Sequence, residues 1–465
     1  MTSEIQQNEL VPVSGWGRLK ALPGRLGTKI VEAAMKIKKL GQDDPRRIIH
    51  SLKVGLAITL VSLIYYVESL YEGFGGSAMW AILTVIVVLE FSVGATLGRG
   101  LNRGLATFIA GALGFGAHYL ASRSGDKVEP MLLGLFVFLI AGLVTFIRFF
   151  PQMKARYDYG LLIFMLTFCL VSISGYRDED LLDVAHRRVS TILIGSFTSV
   201  FVCICICPVW AGDDLHNLVA SNIENLGSFL QGFGIEYFKI SGEFGESKTA
   251  VMQRYKTVLN SKQSEESLAN FARWEPGHGQ FRFSHPWKQY LKIGSLTRQC
   301  AYRIDALNGY LNSEIRTPPE FLSKIQATCT MMSMESGKAL TELASVIKTM
   351  TPPSSAKPHI AKSENAAKGL KSLLQAGLCK DIDLLEVLPA ATVASLLVDV
   401  VSSTEKITES INELATLARY ESIEHIIVDE KEAAESLHLQ PIAPCSNTSG
   451  EHHVITIDQP SRHLP

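Results

Sequence analysis

The stretch TLGRGLNRGLATF, residues 96–108, carries Arg99 and Arg103 four positions apart in a run that is otherwise mostly small or apolar. On a helix that spacing puts both guanidinium groups on one face, one turn apart. Arginine suits the passage of an organic anion, because its planar fork matches a carboxylate and its charge does not titrate away. A guanidinium turned toward hydrocarbon costs at least a few kcal/mol. Arg103, the deeper of the two, is therefore expected to face protein or water. Arg99 lies nearer the boundary and admits two readings: a lining charge, or an anchor whose long side chain snorkels to lipid phosphate.

Other charged residues extend the pattern. HRRVSTILIGSF opens the last apolar run with His186, Arg187 and Arg188. Asp183 stands four residues before Arg187 and accounts for it as an ion pair, whereas Arg188 points to another face. Arg46, His50 and Lys53 share the helical face that leads into the first apolar run. Basic groups thus stand at both ends of a path through the apolar segments, as expected of an anion pore. Glu90 ends the second apolar run, where an ionised carboxylate needs a partner; Arg99, Arg103 and Lys53 are its candidates. The pair is either structural or a gate that opens when it breaks. In RDEDLLDVAHRR, Glu179 and Asp183 share a face, and Glu72 sits in the other strongly acidic connection. Such carboxylates suit a small, hard, trivalent cation, aluminium included. The plainer alternative is an acidic outside loop with Asp183 given over to Arg187.

These residues must be held by apolar segments. The 465 residues are 47% hydrophobic and carry a net charge of -1, but the average hides two halves, since nearly all long apolar runs fall between about residues 48 and 210. Six runs approach the length that crosses about 30 Å of hydrocarbon: roughly residues 48–67, 77–94, 101–121, 131–150, 159–176 and 188–210. Between the second and third, Gly94, Gly98, Gly100 and Gly104 form two small-xxx-small pairs, which predict a short turn and the start of a tightly packed helix. Lys and Arg collect before the first run, between the second and third, and between the fourth and fifth; the alternate connections are acidic or mixed. By the positive-inside rule both termini are cytosolic, and the sequon at Asn447 stays unglycosylated.

The expected fold class is all-α, a six-span transmembrane domain followed by a cytosolic helical bundle. The expected divisions are residues 1–45, an N-terminal segment; 46–210, the membrane domain; 211–430, the cytosolic helices; and 431–465, a disordered tail without periodicity. In the first segment Leu26, Ile30, Ala34, Ile37 and Leu40 form a stripe with Lys29, Lys36 and Lys39 largely off it. That helix either lies on anionic lipid or packs on the cytosolic domain. Long helices are expected at 213–238, 286–312, 320–350 and 385–420, broken by Pro318-Pro319 and TPPSSAKP. Phe229, Phe233 and Tyr237 form a stripe read as core. In FARWEPGHGQFRFSHPW, Trp274 and Trp287 beside prolines are expected to dock a loop onto the bundle, and Glu275, His278 and His285 have poor spacing for a metal. The eight cysteines follow neither a disulfide framework nor a zinc pattern.

No HExxH, no GxSxG in a strand-turn-helix setting and no phosphate-binding glycine pattern is present, so the chain does not read as an enzyme. The sequence resembles the plant aluminium-activated malate transporter family in DDPRRIIHSLKVGLA, SAMWAILTVIVVLEFSVGATLGRGLNRGLATF, TFIRFFPQMKARYDYGLLIF, CPVWAGDDLH and, most specifically, the block around WEP, over roughly residues 43–420. The resemblance implies a homodimeric channel passing malate and inorganic anions in a plant membrane, with Arg103 and Arg188 lining the conduction path. Lys53, Arg99 and Arg187 are secondary candidates for it. It also implies aluminium as an activating ligand at Glu72, Glu179 and Asp183, with no resident cofactor. Partners are then anions, membrane lipid and a second subunit, and no nucleic acid. The plasma membrane is the expected location, with the vacuolar membrane as alternative. The rival reading is a secondary exporter of organic or aromatic acids, which would call for a titratable acid deep in a span.

Overall fold

The computed structural model describes residue 29 and residues 31–67, 78–125, 127–174, 181–238, 253–311, 318–375 and 384–420. Within these, the described chain is helical, with a single bridge between His278 and Phe281 in place of any strand. A first helix, α1, covers residues 31–43. The six apolar windows hold α2 (Arg46–Tyr66), α3 (Ala78–Val88), α4 (Val93–Ser122), α5 (Glu129–Ile147), α6 (Pro151–Ser174) and α7 (Leu181–Cys205). Beyond them come α8 (Ala211–Tyr237), α9 (Tyr255–Leu259), α10 (Lys262–Ala272), α11 (Trp287–Leu311), α12 (Pro319–Thr349), α13 (Lys357–Gln375) and α14 (Leu384–Ala418).

The first group has the inverted surface of a membrane protein. Leu52, Leu56, Phe108, Phe138, Leu193 and Phe197 are exposed, while Thr84, Thr96, Thr107, Ser172 and Ser199 are buried. Four windows contain helices long and apolar enough to cross a bilayer, namely α2, α4, α5 and residues 156–173 of α6. The other two contain shorter apolar helices, Met79–Val88 and Val189–Cys205. A fifth long apolar helix, Glu386–Ala418, belongs to the other group: half of its window is buried, and Val393, Leu397, Val400 and Ile407 sit in the core of the bundle.

Helix α4 begins earlier than the spacing of its apolar residues suggests. The chain breaks only at residues 89–92, and the helix starts at Val93, with the Ser92 hydroxyl accepting from the Ala95 amide at 3.3 Å. The short turn and the start of a tightly packed helix expected here are found, but the turn is confined to residues 89–92 and the four glycines all lie in the helix, which begins about eight residues before the expected span. Helix α4 packs chiefly on α6 and also on α7, while α3 packs on α7 and α2. In the C-terminal bundle α8 lies along α12, α11 along α14, and one continuous core joins them. Phe229, Phe233 and Tyr237 stack in sequence on α8, at centroid distances of 5.7 and 5.6 Å, with the two phenylalanines fully buried.

Candidate functional site

The two arginines of α4 occupy different surroundings. Arg99 forms an ion pair with Glu90, and its Nη1 also donates to the carbonyl of Val87 at 3.3 Å, near the end of α3. Thr96 holds Glu90 in place, accepting from its amide at 3.0 Å. Arg103 is only 5% exposed. Its Nη1 donates to the Tyr159 hydroxyl of α6 at 3.1 Å, and its buried Nε has no partner among the described residues. The ring of Tyr159 also lies under the Arg99 guanidinium, 5.8 Å from its centroid. Tyr159 thus touches both arginines. A buried donor without an acceptor is costly, so this face of Arg103 calls for a further hydrogen-bond acceptor.

The basic residues of α2 turn to other tasks. Lys53 is 2% exposed and donates to the carbonyl of Cys207 at 2.8 Å, just beyond the end of α7. Cys207 is left-handed there (φ 41°), and an ammonium on exposed terminal carbonyls is a favourable helix stop. Arg46 pairs with Asp44 and, at 2.8 Å, with Asp214 in the first turn of α8. His50 meets the edge of Phe91 at 5.5 Å. Among the described residues none of these three forms an ion pair with Glu90, whose partner is Arg99.

Of the outer candidates, Glu72 and Glu179 lie outside the described residues. Asp183, Arg187 and Arg188 belong to the first turns of α7, with side chains outside the described set. Among the described residues no group of three metal-ligating side chains converges. Glu275, His278 and His285, close in sequence, have separate partners: Glu275 takes backbone amides, His278 stacks on Trp210 at 3.9 Å, and His285 meets the Tyr290 hydroxyl at 3.3 Å.

The loop containing Glu275 fixes where α4 begins. Its carboxylate, 5% exposed, accepts from the amides of Gly94 (3.2 Å), Ala211 (2.6 Å) and Gly212 (2.9 Å). These are the first-turn amides of α4 and of α8, two sets of donors with no partner inside their own helices. Burial pushes the Glu275 carboxyl up from its ordinary value, and the amides oppose that shift. Trp274 covers Gly98 and Trp287 covers Gly212: a Cβ on either glycine would come within 3.0 and 2.6 Å of the indole. The two tryptophans therefore dock on different bodies, Trp287 in the bundle and Trp274 on α4.

Three contacts escaped the sequence reading. Tyr159 is one of two tyrosines in RYDYG, and its link to Arg103 spans 56 residues. Asp214 reads as an ordinary helix-start acid. Glu275 was visible as an acid beside tryptophan and proline, but the amides it serves lie 181, 64 and 63 positions away.

The family model described as aluminium activated malate transporter matches residues 38–380. The chain is 50% identical over 433 residues to aluminum-activated malate transporter 2 of Arabidopsis thaliana, covering 92% of this chain and 85% of that protein. It is 48% identical over 438 residues to aluminum-activated malate transporter 1 of the same plant, covering 92% and 88%. To aluminum-activated malate transporter 1 of Triticum aestivum it is 44% identical over 422 residues, covering 87% and 90%.

Proposed function

The chain belongs to the aluminium-activated malate transporter family, and from that premise we propose that it is a passive, malate-permeable anion channel whose conduction path runs along the Arg103 face of α4. The family is one of transporters and not of enzymes. The observation that carries the proposal is Arg103 itself: a guanidinium 5% exposed, in a helix bearing Phe108, Ile109 and Leu113 on its outer surface, with one tyrosine hydroxyl as its hydrogen-bond partner and Nε unmet. A structural arginine in such a place would pair with a carboxylate, as Arg99 does with Glu90. An arginine that must take and release a dicarboxylate needs weaker partners.

In this reading Arg188 supplies a second cationic station at the other end of the path, joined by Arg187. A second subunit would double each station into a ring. The Arg99–Glu90 pair stands beside the path and acts as its gate, while Lys53 holds the end of α7. Moving a divalent anion outward gains about 4.6 kcal/mol per 100 mV of inside-negative potential, twice the single-charge figure. Malate efflux therefore needs no coupling ion. Both termini are placed in the cytosol and the protein in the plasma membrane, with external aluminium acting at Glu72, Glu179 and Asp183. Against the rival exporter stands the state of Glu90, an acid committed to Arg99 at the end of α3 rather than free for proton coupling.

The test is two-electrode voltage clamp on malate-loaded oocytes, comparing wild type with Arg103→Ala and Arg188→Ala, with and without external aluminium. The expected result is inward current from malate efflux in the wild type and its loss in both variants at unchanged surface abundance. Normal conduction in the variants overturns the path. A wild type silent to voltage and to aluminium overturns the channel.

A further inference from the structure

Helix α1 is set apart from the rest of the molecule. From residue 31 to residue 40 every position is exposed, including Val31 (57%), Met35 (59%), Ile37 (70%) and Leu40 (50%). No hydrophobic cluster of the membrane group or of the bundle includes any of them. Of the two positions open to this helix from its sequence, packing on the C-terminal bundle is thus not adopted by the described chain.

At about 100° per residue, Ala33, Ala34 and Leu40 fall within about 60° of Ile37 and form one apolar side, whereas Val31 stands beyond its edge and Met35 on the opposite side. Lys39 and Glu32 fall opposite Ile37, and Lys29, Lys36 and Lys38 flank the apolar side. Residues 31–43 carry Lys36, Lys38 and Lys39, with Lys29 just before them, against Glu32 and Asp43, which leaves a cationic amphipathic helix, and among the described residues none of these lysines forms an ion pair. Long lysine stems let the ammonium groups reach sideways and upward while the apolar sector is buried.

The connection to α2 places this helix where a membrane surface must be. Asp44 closes α1 with its amide on the Leu40 carbonyl at 3.4 Å, and its carboxylate accepts from the Arg46 amide at 3.1 Å to open α2. Gly41 packs so closely on Ile48 that a Cβ there would lie 2.7 Å from its Cδ1. Only Asp44 and Pro45 separate α1 from the first span. Thirteen helical residues reach about 20 Å, so α1 starts at the level at which α2 enters the bilayer and no part of it lies farther than that length from it. Leu52 and Leu56, exposed on α2 a few residues later, face the hydrocarbon in the same reading.

We propose that α1 is an interfacial helix that docks its Ile37–Leu40 side among acyl chains and its lysines on anionic lipid headgroups, at the membrane face from which α2 starts. The proposal rests on α2 crossing the membrane and is independent of what the pathway conducts. Charge complementarity selects the occupant: a helix whose apolar side covered another protein segment would have no need of four unpaired lysines, whereas an anionic leaflet attracts each of them.

The test uses the full chain reconstituted in vesicles of phosphatidylcholine alone or of phosphatidylcholine mixed with phosphatidylglycerol. Amide hydrogen exchange is read over residues 31–43. Exchange is expected to slow about tenfold or more in the anionic vesicles, to return toward the neutral value at high salt, and to lose its lipid dependence in a Lys36→Gln, Lys38→Gln, Lys39→Gln variant. A second variant, Leu40→Ser with Ile37→Ser, is expected to abolish protection while leaving exchange in α2 unchanged. Equal exchange in the two lipids overturns the proposal. Protection that persists in the triple lysine variant and in neutral vesicles also overturns it, because a protein segment then covers the helix. Anion flux through the same vesicles, with Arg103→Ala as its control, reports on the channel reading separately.

Discussion

The carboxylate of Glu275 accepts a hydrogen bond from the amide of Gly94 at 3.2 Å, across 181 residues of sequence. The same oxygen accepts from Ala211, and the other from Gly212. One side chain thus closes the N-termini of two helices, the arginine-bearing α4 and the first helix of the bundle. Arg46 makes a parallel tie from α2 to α8 through Asp214. Together with Trp274 on Gly98 and Phe271 against Gly94, these two contacts tie the bundle to the membrane helices, which gives α8 a direct mechanical hold on the helix that carries Arg103.

Replacing Glu275 by Gln keeps the shape but leaves one acceptor oxygen for three amide donors and turns an NH2 group toward the others. The expected loss is about 2–4 kcal/mol, from a charge-assisted set of bonds and at least one orphaned buried amide. Thermal unfolding of the detergent-solubilised protein should fall by several degrees. An unchanged melting temperature would mean that the carboxylate is not the tie.

The glycines of α4 separate into two kinds. A Cβ at Gly94 would lie 2.2 Å from the carbonyl oxygen of Phe271, a backbone atom that cannot give way, whereas Gly104 has nothing within 4 Å. Gly94→Ala should therefore displace the loop and reduce folded protein at the cell surface to near background. Gly104→Ala should be neutral, or stabilising by up to about 1 kcal/mol through helix propensity. Surface biotinylation of the two variants side by side distinguishes them.

This contrast explains what was legible in the sequence. The apolar windows announced the helices through composition, and the long helices of the bundle were visible in their periodicity: 213–238 was expected and Ala211–Tyr237 is found, 286–312 was expected and Trp287–Leu311 is found. The start of α4 was misplaced because its first turns are rich in glycine, which signals a turn when read locally. In the structure Gly94 and Gly98 are helical and bare because Phe271, at the end of α10, and Trp274, in the loop that follows, lie against them. The charge at Lys53 and its helical face were readable, but the carbonyl it meets, at Cys207, is supplied by another helix. The same holds for Tyr159, which has no local pattern and acquires its place only when α4 packs on α6.

Tyr159 is expected to set how firmly Arg103 is held. Tyr159→Phe removes the hydroxyl at 3.1 Å and leaves the ring beneath Arg99. The variant should reach the surface normally and alter the malate-to-chloride permeability ratio, read from reversal potentials, by a few-fold, the scale of one hydrogen bond of about 1 kcal/mol. An unaltered ratio would detach Tyr159, and with it this face of α4, from the conduction path.

Glu90 tests the gate. Glu90→Gln removes the charge that holds Arg99 while leaving the Val87 carbonyl as its acceptor. A freed guanidinium raises the positive potential at the mouth of the path, so the standing anion current should increase at fixed surface abundance. Combining Glu90→Gln with Arg99→Gln should cancel the increase. A current that falls in the single variant and is restored in the double would make the pair a structural one.

The last expectation concerns pH. His285 and His216 both meet the hydroxyl of Tyr290, at 3.3 and 2.9 Å, inside the bundle. Burial pushes the His285 imidazole down from 6.5 to about 4 and lowers His216 as well. A histidine depressed in the folded state stays neutral while its unfolded counterpart binds a proton, so stability present above pH 6.5 is lost as pH falls toward about 4. For His285 the loss across that window is at most about 3 kcal/mol. Glu275, whose carboxyl is raised, opposes the trend, since its protonation favours the folded form. The measurement is therefore a difference: the melting temperature of His285→Gln minus that of wild type, followed from pH 7 to pH 4. His285→Gln should be the less stable protein at neutral pH and should close the gap on acidification. A gap that stays constant with pH would show that His285 does not titrate between the folded and unfolded states.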